Sequence, residues 1–293
     1  MQTTPITALS LDGREFFVKR DELYEVYLAG NKYRKLHKLI QTPKEKLHTL
    51  ISYGGTQSNA MLALAALAVK KEWKFIYYTK PLSKMQKNAQ GGNFAIALEL
   101  GMQHKEIEES LYRDFVASLA LTKDEDGVFL VHQGGADVMA KEGLAVLAQE
   151  IRAQRTTDSS LDFTAVATPS GTGTTALFLA QMLPELRVYT TACVGDKEYL
   201  LEQMQAVGKV PQNLTILEGS QKYHFAKPYR EFYFLQQKLL RKGVEFDLLY
   251  APKMWKMLLE QTEEKVLYIH SGGVSGNISM QERYVRKFAD ITL

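Results

Sequence analysis

Short apolar runs alternate along this chain with longer stretches whose apolar positions recur at helical spacing. Glu15-Phe16-Phe17-Val18-Lys19, Thr49-Leu50-Ile51-Ser52-Tyr53 and Lys74-Phe75-Ile76-Tyr77-Tyr78-Thr79 read as strands. Val128-Phe129-Leu130-Val131, Phe163-Thr164-Ala165-Val166-Ala167-Thr168, the run 187–194 and Val266-Leu267-Tyr268-Ile269-His270 continue the series. Between them, 59–70 is rich in Ala and Leu and predicts a helix. Segment 93–100 predicts another, closed by Gly101. A third follows Gly134-Gly135 and runs to about Gln154, a fourth spans 176–183 before Pro184, and a fifth spans 231–242. This rhythm predicts an α/β fold with parallel strands and crossover helices. The polar loop 156–161 and the region near Lys35 are candidate domain crossings. Gly54-Gly55, Gly171-Thr172-Gly173 and Gly272-Gly273 each follow an apolar strand, so they are expected to meet in one cleft at the carboxyl ends of the strands.

A length of 293 residues suits two cores better than one. The 36 basic and 33 acidic residues nearly cancel, which argues against a nucleic-acid surface. The dense basic cluster Lys32-Tyr33-Arg34-Lys35 lies near the first glycine turn instead. With one cysteine, Cys193, no internal disulfide can form; its apolar flank suggests an inert core thiol. Met1-Gln2-Thr3-Thr4-Pro5 lacks a basic region followed by an apolar run, and no apolar stretch is long enough to span a bilayer, so a cytoplasmic protein is expected. The six histidines show no metal-ligand spacing, and no metal is expected.

Three segments carry candidate chemistry. Lys32 opens a predicted helix beside Arg34 and Lys35; neighbouring cations or burial would lower its pKa, though a solvated lysine is the plainer reading. Gly54-Gly55-Thr56-Gln57-Ser58-Asn59 allows close backbone approach and then opens a helix whose first amides lack partners. It reads equally as an anion site or as an ordinary capped turn. Ser170-Gly171-Thr172-Gly173-Thr174-Thr175, between strand and helix, suits a phosphate monoester. It lacks the Gly-Lys-Ser/Thr ending of a nucleotide loop. An amine, a polar turn and a phosphate cradle are the parts that hold pyridoxal phosphate as a Schiff base, which points to an enzyme acting on amino acids. Ser271 closes a strand and could offer its hydroxyl to a ring nitrogen; Tyr250 and Tyr229 do not stand out among 15 tyrosines.

From about Thr4 to Gly276 the chain resembles the family of 1-aminocyclopropane-1-carboxylate deaminase and D-cysteine desulfhydrase. The resemblance rests on Val18-Lys19-Arg20-Asp21-Glu22-Leu23, Gly30-Asn31-Lys32-Tyr33-Arg34-Lys35-Leu36 and the turn 54–59. Gln90-Gly91-Gly92-Asn93, Gly134-Gly135, Gly171-Thr172-Gly173-Thr174-Thr175, Tyr223-His224-Phe225, Asp247-Leu248-Leu249-Tyr250 and His270-Ser271-Gly272-Gly273 follow in the same order. It implies a fold type II pyridoxal-phosphate enzyme: two open parallel-sheet domains with helices on both faces and the active site in the cleft between them. Residues 1–35 plus 146–293 would form the large cofactor-binding domain and 36–145 the smaller one. The resemblance also implies that Lys32 carries the cofactor and that Asn59 binds its ring oxygen. Gly171, Thr172, Gly173 and Thr174 would hold the phosphate, and Ser271 would face the ring nitrogen. Tyr250 would lie near the ring, while Ser58 shares in proton transfer and, with Gln57, binds substrate. It further suggests a homodimer; the lack of a membrane partner is expected from the apolar pattern alone.

The departures bear on substrate. The family's glycine-glycine-tyrosine stretch after the segment matching Tyr223-His224-Phe225 is replaced by Ala226-Lys227-Pro228-Tyr229, so a second active-site tyrosine is either lost or supplied by Tyr229 from another angle. Ring-opening deaminases look to carry a glutamate and a leucine where this chain has Ala251 and Ser271. Ala136-Asp137 replaces a frequent Ser-Asn. The expectation is a lyase or deaminase of the D-cysteine desulfhydrase type, releasing a keto acid and ammonia from a small amino acid. The alternatives are 1-aminocyclopropane-1-carboxylate deamination and a relative that binds cofactor without turnover.

Overall fold

β1 (Ile6–Leu11) and β2 (Arg14–Lys19) form a hairpin across Asp12-Gly13 and open the larger of two sheets. The computed structural model describes residues 3–88, 91–120 and 126–291; Gln90 of the Gln90-Gly91-Gly92-Asn93 motif and Met1-Gln2 lie outside them. The smaller sheet contains β3 (Thr49–Tyr53), β4 (Lys74–Thr79), β5 (Gln103–Glu106) and β6 (Val128–Leu130), ordered β5-β4-β3-β6 and parallel throughout. The larger sheet is completed by β7 (Ala165–Ala167), β8 (Arg187–Thr190), β9 (Leu214–Ile216) and β10 (Val266–Ile269), ordered β1-β2-β10-β7-β8-β9. Its pairings are parallel except β1 with β2.

The helices of the first half are α1 (Gly30–Lys35), α2 (His37–Gln41), α3 (Asn59–Lys71), α4 (Lys84–Lys87), α5 (Asn93–Glu99) and α6 (Glu109–Ala120). Those of the second half are α7 (Ala140–Thr157), α8 (Thr174–Met182), α9 (Lys197–Gln205), α10 (Arg230–Leu240), α11 (Ala251–Gln261) and α12 (Asn277–Lys287).

Alternating side chains give the larger sheet two covered faces. Phe17, Val166, Val188 and Leu267 pack under α7 and α8, whereas Phe16, Val18, Ala165 and Tyr268 pack with Trp255 and Met254 of α11. In the smaller sheet Leu50, Phe75 and Tyr77 pack on α3, and Tyr78 on the other face meets Phe115 of α6 with ring centroids 4.7 Å apart. The expected α/β architecture with helices on both faces is therefore present.

Several elements are not marked in the apolar pattern. β5 (Gln-His-Lys-Glu) is polar and mostly exposed, and it is a strand because the edge of β4 pairs with it. The run 187–194 stops being a strand at Thr190, after which Ala192 bridges to Ser170. α7 begins at Ala140, and its residues Ala140 and Leu144 already belong to the core under the larger sheet. The proposed domain boundary at 145/146 thus falls inside a helix. Among the described residues no helix is long and apolar enough to cross a membrane, and no acidic, cysteine or histidine cluster is arranged to hold a metal.

Candidate active site

Gly30 starts α1 with φ +58 and rests on the turn after β10. A Cβ there would lie 2.1 Å from the carbonyl carbon and oxygen of Ser271, so the approach requires glycine. The Asn31 N–H donates to the same carbonyl at 3.3 Å. Lys32 is thereby directed into a cavity of about 570 Å³ at the carboxyl ends of both sheets' strands.

The basic cluster splits. Lys32 Nζ and Lys35 Nζ lie 3.4 and 3.1 Å from the carbonyl oxygen of Gly134, and both side chains line the cavity. Burial lowers the Lys32 amine to about 8. It lowers Lys35 well below the usual lysine range, with the charge of Lys32 adding to the effect. Arg34 turns the opposite way and pairs through its guanidinium with Asp21 and Glu150, at 2.8 Å to each.

The segment 170–175 wraps the start of α8 on the same cavity. No side chain caps this helix, so its first amides remain available to a ligand. Thr172 Oγ1 and Thr174 Oγ1 lie 3.1 Å apart, and Asn31 Nδ2 donates to Thr175 Oγ1 at 3.5 Å.

The start of α3 is a second helix opening. Ser58 is its N-cap, with Oγ accepting from the Met61 N–H at 3.2 Å. Gln57 Oε1 accepts from Ser279 Oγ at 2.8 Å, and Asn59 Oδ1 accepts from Asn93 Nδ2 at 2.7 Å. Tyr250 lies against Gly171 and packs on Phe225 with centroids 5.1 Å apart; burial raises its phenol pKa. Cys193 is buried with its thiol pushed up to about 12 by burial, as suits an inert core residue.

Lys32, Gln57, Ser58, Asn59, Gly171, Thr172, Gly173, Thr174, Tyr250 and Ser271 all line this one cavity. Tyr229 does not, and its expected substrate contact needs correction. Its ring packs between Tyr223 and Phe232, and its hydroxyl accepts from the His224 N–H at 2.9 Å. The same loop sends Phe225 to the cavity instead.

Other lining residues carry no mark in the sequence beyond their position at or just after the end of a strand. Tyr53 ends β3 and His132 follows β6; the Tyr53 hydroxyl lies 3.3 Å from His132 Nδ1. Lys35 was legible as neighbouring charge but not as a second inward amine.

Residues 2–208 match the family described as pyridoxal-phosphate dependent enzyme. The chain belongs to that family. It is 26% identical over 300 residues to a putative 1-aminocyclopropane-1-carboxylate deaminase of Thermotoga maritima, covering 93% of each chain. It is 27% identical to the D-cysteine desulfhydrase of Serratia proteamaculans, over 89% of this chain and 87% of that one. The crystal structure of an ACC deaminase homologue superposes with a TM-score of 0.74 at 22% identity, covering 98% of this chain and 94% of the other, and so shares the fold. The site suits the family's cofactor. It offers an amine brought near neutrality by burial, an uncapped helix start rich in hydroxyls, and a lining with no carboxylate among the described residues.

Proposed function

We propose that this pyridoxal-phosphate enzyme is a lyase or deaminase of the D-cysteine desulfhydrase kind, releasing a keto acid and ammonia from a small amino acid. The observation that carries the reading is that Lys32, its amine lowered to about 8, shares one cavity with the 170–175 turn and the polar start of α3. Lys32 would hold the cofactor through its amine. Gly171, Thr172, Gly173 and Thr174 would hold the phosphate with the first amides of α8, Asn59 the ring oxygen and Ser271 the ring nitrogen. When bound, pyridoxal phosphate supplies a sink for negative charge developing at a substrate α carbon.

The chain's own groups supply the rest. Lys32 Nζ, once free, has a pKa suited to taking the α proton near neutral pH. The first amides of α3, with Ser58 and Gln57, would receive the substrate carboxylate. Two lysines and no carboxylate among the described lining residues suit a ligand pair carrying phosphate and carboxylate together. Tyr250 remains neutral because of its burial and would close one wall as a proton donor. A cytoplasmic homodimer without nucleic-acid partners belongs to the same reading.

The likeness to a putative 1-aminocyclopropane-1-carboxylate deaminase supports a second reading, ring-opening deamination of that amino acid. Ala251 and Ser271 weigh against it. Retained cofactor with no product from any amino acid would support the third, binding without turnover. Purified protein should show the visible band of bound pyridoxal phosphate, and Lys32→Ala should lose both the borohydride-trappable attachment and turnover. A screen for pyruvate from D-cysteine beside 2-oxobutanoate from the cyclopropane substrate separates the readings. A wild-type protein with neither band nor trappable lysine would overturn them all.

A further inference from the structure

Asn93 opens α5 and is fully buried, yet it does not line the cavity. Its Nδ2 lies 3.3 Å from the backbone oxygen of Gln57 and 2.7 Å from Asn59 Oδ1. Its Oδ1 accepts from Ser275 Oγ at 2.9 Å. A backbone carbonyl can only accept, so the atom facing Gln57 has to be the amide nitrogen of Asn93. That nitrogen only donates, so Asn59 must offer it the side-chain oxygen. The orientation of the Asn59 amide follows by elimination: its nitrogen is turned away from Asn93. There it lies against Gly273 (φ +84), where a Cβ would come within 2.3 Å of Asn59 Nδ2. Asn59 lines the cavity with Lys32 and Ser271.

We propose that Asn93, locked by Ser275 and the Gln57 carbonyl, is a positioning residue that turns the Asn59 amide nitrogen toward the Gly273 turn, in a small recess that Lys32 and Ser271 also line, so that Asn59 offers the cofactor a donor rather than an acceptor. The inference rests on the reading of Asn59 as the contact to the cofactor's ring oxygen. That oxygen is phenolic and carries negative charge, so a donor stabilises it and a carbonyl oxygen repels it. Turning Asn59 over would break its bond to Asn93 and leave a buried donor unpaired. Its four participants come from the turn into α3 (Gln57), from α3 (Asn59) and α5 (Asn93), and from the turn before α12 (Ser275), so the lock joins the turns of both sheets.

The test uses purified holoenzyme. Asn93→Asp replaces the donating nitrogen with an acceptor. Ser275 can still donate to the new carboxylate, but Asn59 must turn over to do the same, and its oxygen then faces the cofactor. Two quantities are read: release of pyridoxal phosphate after dilution, followed by loss of the visible band, and the pH midpoint of that band. Asn93→Asp should release cofactor roughly tenfold faster or more and shift the midpoint by about a unit. Asn93→Ala, which leaves Asn59 free to turn either way, should fall between it and wild type. Faster release with an unmoved midpoint would mean general loosening and would overturn the proposal, as would wild-type behaviour in both variants. If Asn93→Asp does not fold, Asn93→Ala decides by the same two readouts; failure of both to fold makes Asn93 purely structural and also overturns it. A wild-type band with unmoved variants sinks this proposal alone, whereas a wild-type protein without a band sinks the cofactor reading with it.

Discussion

Burial takes the amine of Lys32 from the ordinary lysine value of 10.5 to about 8. Attachment of pyridoxal phosphate needs the unprotonated amine. The rate at which cofactor-free protein takes up pyridoxal phosphate should therefore rise with pH around a midpoint near 8, as read from the visible band. A midpoint near 10.5 would show a solvated lysine. The same group sets a sign for stability. Between pH 8 and 10.5 the unfolded chain binds more protons at position 32 than the folded one, so this contribution to the stability of the cofactor-free protein rises with pH across that window. Below pH 8 the cost of burying the amine is present in full. Lys35 is shifted the same way and acts with the same sign. Lys32 was legible as a candidate because it opens a predicted helix beside Arg34 and Lys35. Its pKa was not, because desolvation depends on the walls of the cavity, which come from distant turns.

At the scale of the element, α1 is a single short helix with no side-chain N-cap and would not persist alone. Tertiary anchors hold it. Arg34 makes paired bonds to Asp21 and to Glu150, and Lys19 adds a 3.0 Å contact to Glu150. Thr4 Oγ1 donates to Asp21 Oδ1 at 2.6 Å. This cluster ties the helix bearing Lys32 to β2 and α7. Arg34→Ala leaves two buried carboxylates without their shared guanidinium and should cost about 3–5 kcal/mol in denaturant unfolding. A loss under about 1 kcal/mol would mean that Lys19 and solvent replace it. The basic run 32–35 was visible in the sequence, and helical spacing separates its inward and outward members. Which members faced the cavity depended on where the acidic partners lay, Asp21 just upstream and Glu150 far downstream in the chain.

Over the whole molecule, the cavity draws its walls from the turns of both sheets, with α1 and α3 leading into it. A ligand bound there joins both cores. Pyridoxal phosphate at about a hundred times its dissociation constant should add about 2.7 kcal/mol to unfolding stability. It should raise the melting temperature of the cofactor-free protein in a single transition. An early transition untouched by cofactor would show that one lobe melts independently of the site.

Local pattern determined the strand-turn-helix rhythm, the glycine turns after the strands, and the lysine, serine-asparagine and threonine motifs. These depend on periodicity and backbone freedom, which short stretches carry by themselves. Tertiary structure alone decided that β5 is a strand, that Tyr229 joins an aromatic cluster while Phe225 reaches the cavity, and that Asn93 sets the face Asn59 shows. Each of these depends on which groups remain unpaired after distant segments meet, and a buried donor or acceptor takes whatever partner the fold brings to it.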